Sequence, residues 1–204
     1  MKALRHFRAP LAATLALVAL ALPAAAEKLP LAEISRYLNG LTTAQADFVQ
    51  TNADGSKSKG TLYIKRPGRA RFEYAPPQKS LVMAGAGQVA IFDEKSNQPP
   101  EQYPLRRTPL NLILERKVDL GQAKMVVAHG EANGLTHVRA QDPKNPEYGT
   151  IDLVFSANPT TLRQWIITDD VGNQTVVDLG PMQTGMELSG FLFDISAERA
   201  KRNR

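Results

Sequence analysis

A period of two dominates most of this chain, carried in short runs that end on turn residues. Successive side chains of a β-strand point to opposite faces, so this period decides the fold class before composition is consulted. Runs of this kind lie around 44–51, 60–66, 69–75, 80–84, 88–93, 123–129, 135–140, 150–156, 161–168, 174–179 and 188–194. Asp54-Gly55-Ser56, Pro67-Gly68 and Pro76-Pro77 punctuate them, and Asn133-Gly134 and Gly172-Asn173 are strong hairpin turns. Strands at this spacing predict a mainly β chain, an antiparallel barrel or sandwich rather than βαβ units. The sequence shows no linker, repeat or low-complexity tract, so one domain is expected.

Two stretches break the period. Leu31, Ile34, Leu38 and Leu41 recur at three- and four-residue intervals after Pro30, with Glu33, Arg36 and Asn39 between them. That spacing predicts an amphipathic helix over 30–40. In "RRTPLNLILERK", Thr108 suits an N-cap and Pro109 a first helical position, and Leu110, Ile113 and Leu114 form a stripe. A second short helix is expected over 109–116. Two amphipathic helices on a β chain need a surface to cover, and the mouth or open side of a curved sheet supplies one.

The N-terminus states a compartment. Lys2, Arg5 and Arg8 precede a short apolar stretch from Ala9 to Leu22, and Pro23 and Ala24-Ala25-Ala26 follow it. This is the pattern of a secretory signal peptide over residues 1–26, too short for a stable membrane span. The mature domain, 27–204, is expected to be exported. It holds no cysteine, so no disulfide supports it and its core must do so alone. Glu27 stands where a lipid-anchored protein would carry a cysteine. From residue 27 onward 22 basic residues face 20 acidic ones, and Lys201, Arg202 and Arg204 fall in a tail expected to be frayed. So small an excess argues against nucleic acid as a partner.

Chemistry-bearing motifs are few. "LVMAGAGQVA" spaces Gly85, Gly87 and Ala90 like a dinucleotide fingerprint. That fingerprint requires a helix directly afterwards, and the sequence continues as a strand, so a hairpin turn is the reading. His129 and His137 stand in neighbouring predicted strands without cysteine or a carboxylate cluster, and no metal site is assigned. With no nucleophile elbow, paired carboxylates or phosphate loop, no catalytic residue and no cofactor are assigned.

Arginines crowd the segment "TLYIKRPGRARFEYAPPQ". Alternation puts Leu62, Ile64 and Arg66 on one face, and Ala70, Phe72 and Tyr74 on one face of the next strand. Arg69, Arg71 and Glu73 then read as the solvated side. Arg66 continues the apolar face, so its guanidinium must either find acceptors, such as helix carbonyls, or reach water from the strand end.

Phe48-Val49-Gln50, Gly60 to Pro67 with its "G-x-L-x-I-K-R-P" pattern, Phe72-Glu73-Tyr74, Leu81-Val82 and Gly87-Gln88-Val89 together resemble the outer-membrane lipoprotein carrier protein (LolA) family. Thr108-Pro109 with Leu112-Ile113-Leu114 is similar to that family's internal helix segment. The resemblance implies an incomplete, open antiparallel β-barrel with a hydrophobic cavity lidded by helices. It implies a monomeric periplasmic chaperone whose cargo is acylated lipoproteins. The cargo is taken from an inner-membrane ATP-driven exporter and passed to an outer-membrane acceptor. Carried over, Arg66 becomes a lid-closing switch that bonds to lid backbone. Leu62, Ile64 and Phe72 would line the cavity with Ile34, Leu38 and Ile113. Ala70 departs from the bulky apolar residue common four positions after that arginine, and "FLFDI" at 191–195 departs from the usual ending. A lipid- or lipoprotein-sensing regulator on the same curved sheet is the alternative function.

Overall fold

The computed structural model describes residues 28–93, 98–121 and 124–202, so the signal peptide expected over 1–26 lies outside the described residues. A first helix, α1 (Leu31–Gly40), leads into β1 (Thr43–Thr51), β2 (Lys57–Lys65), β3 (Arg69–Tyr74), β4 (Leu81–Gly85), β5 (Gln88–Phe92) and β6 (Glu101–Pro104). A connection holding a 3-10 turn and α2 (Asn111–Leu114) then crosses to β7 (Val126–Ala132). The chain continues through β8 (Leu135–Gln141), β9 (Thr150–Ser156), β10 (Thr161–Thr168), β11 (Gln174–Leu179) and β12 (Gln183–Thr184), and ends in α3 (Ile195–Arg202). Every pairing is between antiparallel strands, in the order β6-β5-β4-β3-β2-β1-β11-β10-β9-β8-β7, with β12 beside β1. The path ends at β6 and β7, which do not pair with each other, so the sheet is an open barrel.

Alternation along the strands builds the main core on the concave side. Phe48, Leu62, Ile64, Ala70, Phe72, Leu153, Phe155, Trp165 and Val177 all point there. Phe72 stands edge-on to both Phe48, with centroids 5.7 Å apart, and Trp165, 6.1 Å apart. That geometry suits ring quadrupoles and adds to burial. α1 and the connection from Leu105 to Leu120 fill the same hollow, because the apolar stripe of α1 has no other surface to cover. Tyr37 fixes α1 to the far side, its ring edge-on to Phe155 and its hydroxyl accepting from the Leu162 amide at 3.2 Å. Burial pushes the Tyr37 phenol up, partly offset by that bond.

β4 is buried on both faces, which accounts for its near-continuous apolar sequence. Ala84 faces the main core, while Leu81, Met83, Ala90 and Phe92 form a smaller one on the outer face, under Ile195. Ala86 and Gly87, at φ 48° and 76°, make the tight turn between β4 and β5, so the glycine-rich stretch is a hairpin.

The structure corrects the sequence reading in several places. The strand expected at 188–194 is a 3-10 turn, Gly190–Phe193, that lies on the outer face of β4 where no strand edge is free to pair. A Cβ at Gly85 would stand 2.4 Å from the Phe193 carbonyl, so the segment can lie that close only over glycine. The second helix is four residues long, with Leu110 rather than Thr108 at its N-cap. Lys201 and Arg202 belong to α3 rather than to a frayed tail, and Arg202 stacks 5.1 Å over Phe92. Arg71 is not solvated. Its side chain is 11% exposed and reaches Glu73 at 2.6 Å, Glu198 at 3.3 Å and the Leu192 carbonyl at 3.2 Å.

Candidate functional site

Six residues named from the sequence meet in one cluster. Ile34 and Leu38 come from α1, Leu62 and Ile64 from β2, Phe72 from β3 and Ile113 from α2, all between 0% and 7% exposed. They meet as a closed core in which the two helices rest on the sheet. Clefts lie beside it: one of about 350 Å³ runs between α2 and the ends of β8 and β9, and another of about 300 Å³ lies between Leu112 and Leu120.

Arg66 sits where β2 ends, and its amide donates to the Thr42 carbonyl at 2.8 Å. Its Nη2 donates to the carbonyl of Glu115, the residue that caps the C-terminal end of α2. Helices leave carbonyls unpaired at that end, so a cation there completes the helix as well as tethering it. Next to it the Gly68 amide donates to the Leu114 carbonyl at 2.8 Å, a second tie between the β2–β3 turn and α2. Arg66 Nε is buried without a hydrogen-bond partner among the described residues. Desolvation pulls the guanidinium below its ordinary pKa, and the charge of Glu115 restores part of it. The Glu115 carboxyl is pushed up by burial, against the Asn111 bond and the Arg66 charge.

Three further bonds join α1 to the segment after α2, and no sequence pattern points to them. Asn39 Nδ2 donates to the Val118 carbonyl at 2.7 Å while Asn39 Oδ1 accepts from the Val118 amide at 2.9 Å. Ser35 Oγ accepts from the Leu120 amide at 3.0 Å and donates to the Leu31 carbonyl at 2.7 Å. The available signal was Ser35 itself, a hydroxyl beside the apolar stripe of α1. In this way α1 and the segment after α2 form one hydrogen-bonded cover.

The histidines serve other ends. A His129 ring nitrogen lies 2.9 Å from the Leu29 carbonyl, and His137 Nδ1 lies 3.5 Å from Asp152, which also pairs with Arg139 at 3.2 Å. Among the described residues no helix is long and apolar enough to cross a membrane.

Known proteins are similar to this chain in sequence over most of its length. A sequence model of the family described as outer membrane lipoprotein carrier protein LolA matches residues 39–196. The chain is 26% identical to an outer-membrane lipoprotein carrier protein of Methylococcus capsulatus, over 84% of this chain and 85% of that protein. It is 28% identical to one of Chromobacterium violaceum, over 79% and 81%. A LolA superfamily protein of Nitrosomonas europaea, of solved structure, superposes with a TM-score of 0.45 at 10% identity, covering 81% of this chain and 98% of that one.

Proposed function

This chain belongs to the outer membrane lipoprotein carrier protein family, LolA, and on that premise we propose that it carries lipoproteins by holding their acyl chains in the space its apolar core now fills. It takes them from an ATP-driven exporter of the inner membrane and hands them across the periplasm to an acceptor at the outer membrane. One observation carries the reading: an open barrel whose concave face is mainly apolar, covered by α1 and the connection that holds α2, which Arg66 and Asn39 tie down through hydrogen bonds rather than through a continuous sheet.

Such a cover can lift without breaking the barrel. Each methylene transferred from water to an apolar site gains about 0.8 kcal/mol, so an acyl chain that takes the place of the helices on the sheet binds substantially. Cargo shifts an open–closed equilibrium only by binding the open state better. The Arg66 bond exists in the closed state and therefore opposes loading and favours release. A charge-assisted hydrogen bond is worth roughly 1.5–3 kcal/mol. Arg66→Leu should load at least as well as the parent and transfer poorly, so that loaded carrier accumulates. Transfer at the parental rate would show that Arg66 is no switch. Ile64→Glu should abolish binding of a fluorescent fatty-acyl probe while the chain remains folded. Unchanged affinity in a folded variant would rule out this face as the lining.

A further inference from the structure

The cleft between α2 and the ends of β8 and β9 has a composition that the carrier reading does not use. Its floor is apolar, formed by Leu112, Met125, Ala140 and Ile151, the same residues that edge the main core. Its rim carries Arg106 and Lys144, both exposed, and neither forms a side-chain hydrogen bond or salt bridge among the described residues. Arg107 stands next to it, 5.3 Å over the Tyr148 ring. Two acidic residues also line the cleft. Both Asp142 oxygens are already taken, by the Lys144 amide and the Asn145 side chain, at 2.8 and 2.9 Å. Glu115 accepts from Asn111 at 2.9 Å and faces Arg66.

The chain segment that holds α2 and one wall of the cleft is basic, while the charged residues lining the cleft itself are Arg106 and Lys144 against Glu115 and Asp142. Residues 105–124 hold five basic side chains against two acidic ones. From residue 27 onward the balance is 22 to 20, so the remainder of the mature chain sums to minus one. All five basic residues, Arg106, Arg107, Arg116, Lys117 and Lys124, are exposed. A volume of about 350 Å³ lies within the range of small-molecule sites.

We propose that this cleft binds a single-chain amphiphile with an anionic head, the chain on Leu112, Met125, Ala140 and Ile151 and the head between Arg106 and Lys144. A cationic rim over an apolar floor matches such a molecule at both ends, and a neutral acylglycerol at one only. The inference extends the carrier reading from the closed core to the cleft beside it, and rests on that reading only for the class of chain bound.

The test is calorimetric titration of the mature chain with lysophosphatidylglycerol and with a monoacylglycerol of equal chain length, both below their micellar concentrations. The anionic probe should bind about 25-fold tighter, since each of the two basic side chains near an anionic headgroup adds about a factor of five. The preference should shrink on going from 0.1 M to 1 M salt, where the screening length falls from about 10 Å to about 3 Å. Arg106→Gln with Lys144→Gln should remove the preference and leave monoacylglycerol binding intact. Met125→Trp, which fills the cleft, should weaken both. Equal affinities in the parent, a preference that survives the double substitution, or unchanged binding in Met125→Trp would overturn the inference. Competition by inorganic phosphate as strong as by the amphiphile would overturn it too. A headgroup preference without lipoprotein cargo keeps this inference and overturns the carrier reading, and lipoprotein cargo without the preference does the reverse.

Discussion

Asn39→Ala removes one side chain that makes two bonds to one residue, the donor to the Val118 carbonyl and the acceptor from the Val118 amide. Val118 is 3% exposed, so both its backbone groups lose their partner together. A hydrogen bond contributes roughly 0.5–1.5 kcal/mol net, and two give about 1–3 kcal/mol. Asn39 itself is exposed, so water reaches this edge and the lower half of that range applies, about 1–2 kcal/mol. The loss falls on the tie between α1 and the segment after α2, not on the sheet. Local opening there should therefore rise roughly 5–30-fold, at 1.4 kcal/mol per tenfold. Native-state hydrogen exchange reads this directly: the Val118 and Leu120 amides should exchange faster by that factor, while amides of β2 and β9 keep their protection. Affinity for an acyl probe should rise in step, because a cover that opens more readily opposes loading less. Unchanged protection at Val118 in a folded variant would refute the view that α1 and this segment move as one cover.

Other outcomes follow from the outer face. Gly85→Ala puts a methyl 2.4 Å from a backbone oxygen that no rotamer can move, which should cost about 1–3 kcal/mol and lower Tm by about 2–10 °C; an unchanged Tm in calorimetry would show that the 3-10 turn does not rest there. Burial would raise the Glu198 carboxyl, but the bond from Arg202 and the charge and bond of Arg71 outweigh it and hold it below its ordinary 4.5. A depressed carboxyl stabilises the fold above its unfolded pKa and loses that contribution as pH falls through the folded value. Thermal unfolding between pH 6 and pH 3 should show this acid-sensitive component in the parent and lack it in Glu198→Gln, and equal profiles would remove Glu198 from the docking of α3. Phe72→Ala should cost about 3–5 kcal/mol, read as a fall in Tm and a red shift of Trp165, the sole tryptophan; a variant as stable as the parent would deny Phe72 its place in the core.

Local pattern carried most of the architecture. The bounds of β9, β10 and β11 follow from short β-rich runs with a clear turn on either side, although β9 is buried on both faces and β10 carries a bulge. Arg66 was legible because it breaks that alternation, placing a charge where a hydrophobe belongs. The failures share a cause in tertiary contact. Arg71 reads as solvated because nothing in β3 reveals that a segment 120 residues later lies over it. Phe191 and Phe193 alternate like strand residues, yet the turn around them is set by Gly85 beneath. β6 is too short and too exposed, at Glu101–Pro104, to show a period. Asn39 stands on the polar side of its helix, and that position says nothing of Val118. The six residues expected to line a cavity share one buried cluster, and their arrangement as packed core depends on the two helices settling onto the sheet, which no spacing encodes.

The central claim is that acylated protein occupies the space now filled by this core. The mature chain, recovered from the periplasm of cells that express it and analysed by mass spectrometry, tests it most directly beside the Ile64→Glu variant. The account predicts acylated lipoproteins in complex with the parent and their loss from the folded variant. A parent that emerges free of acylated protein, or a variant that carries the same cargo, would contradict it.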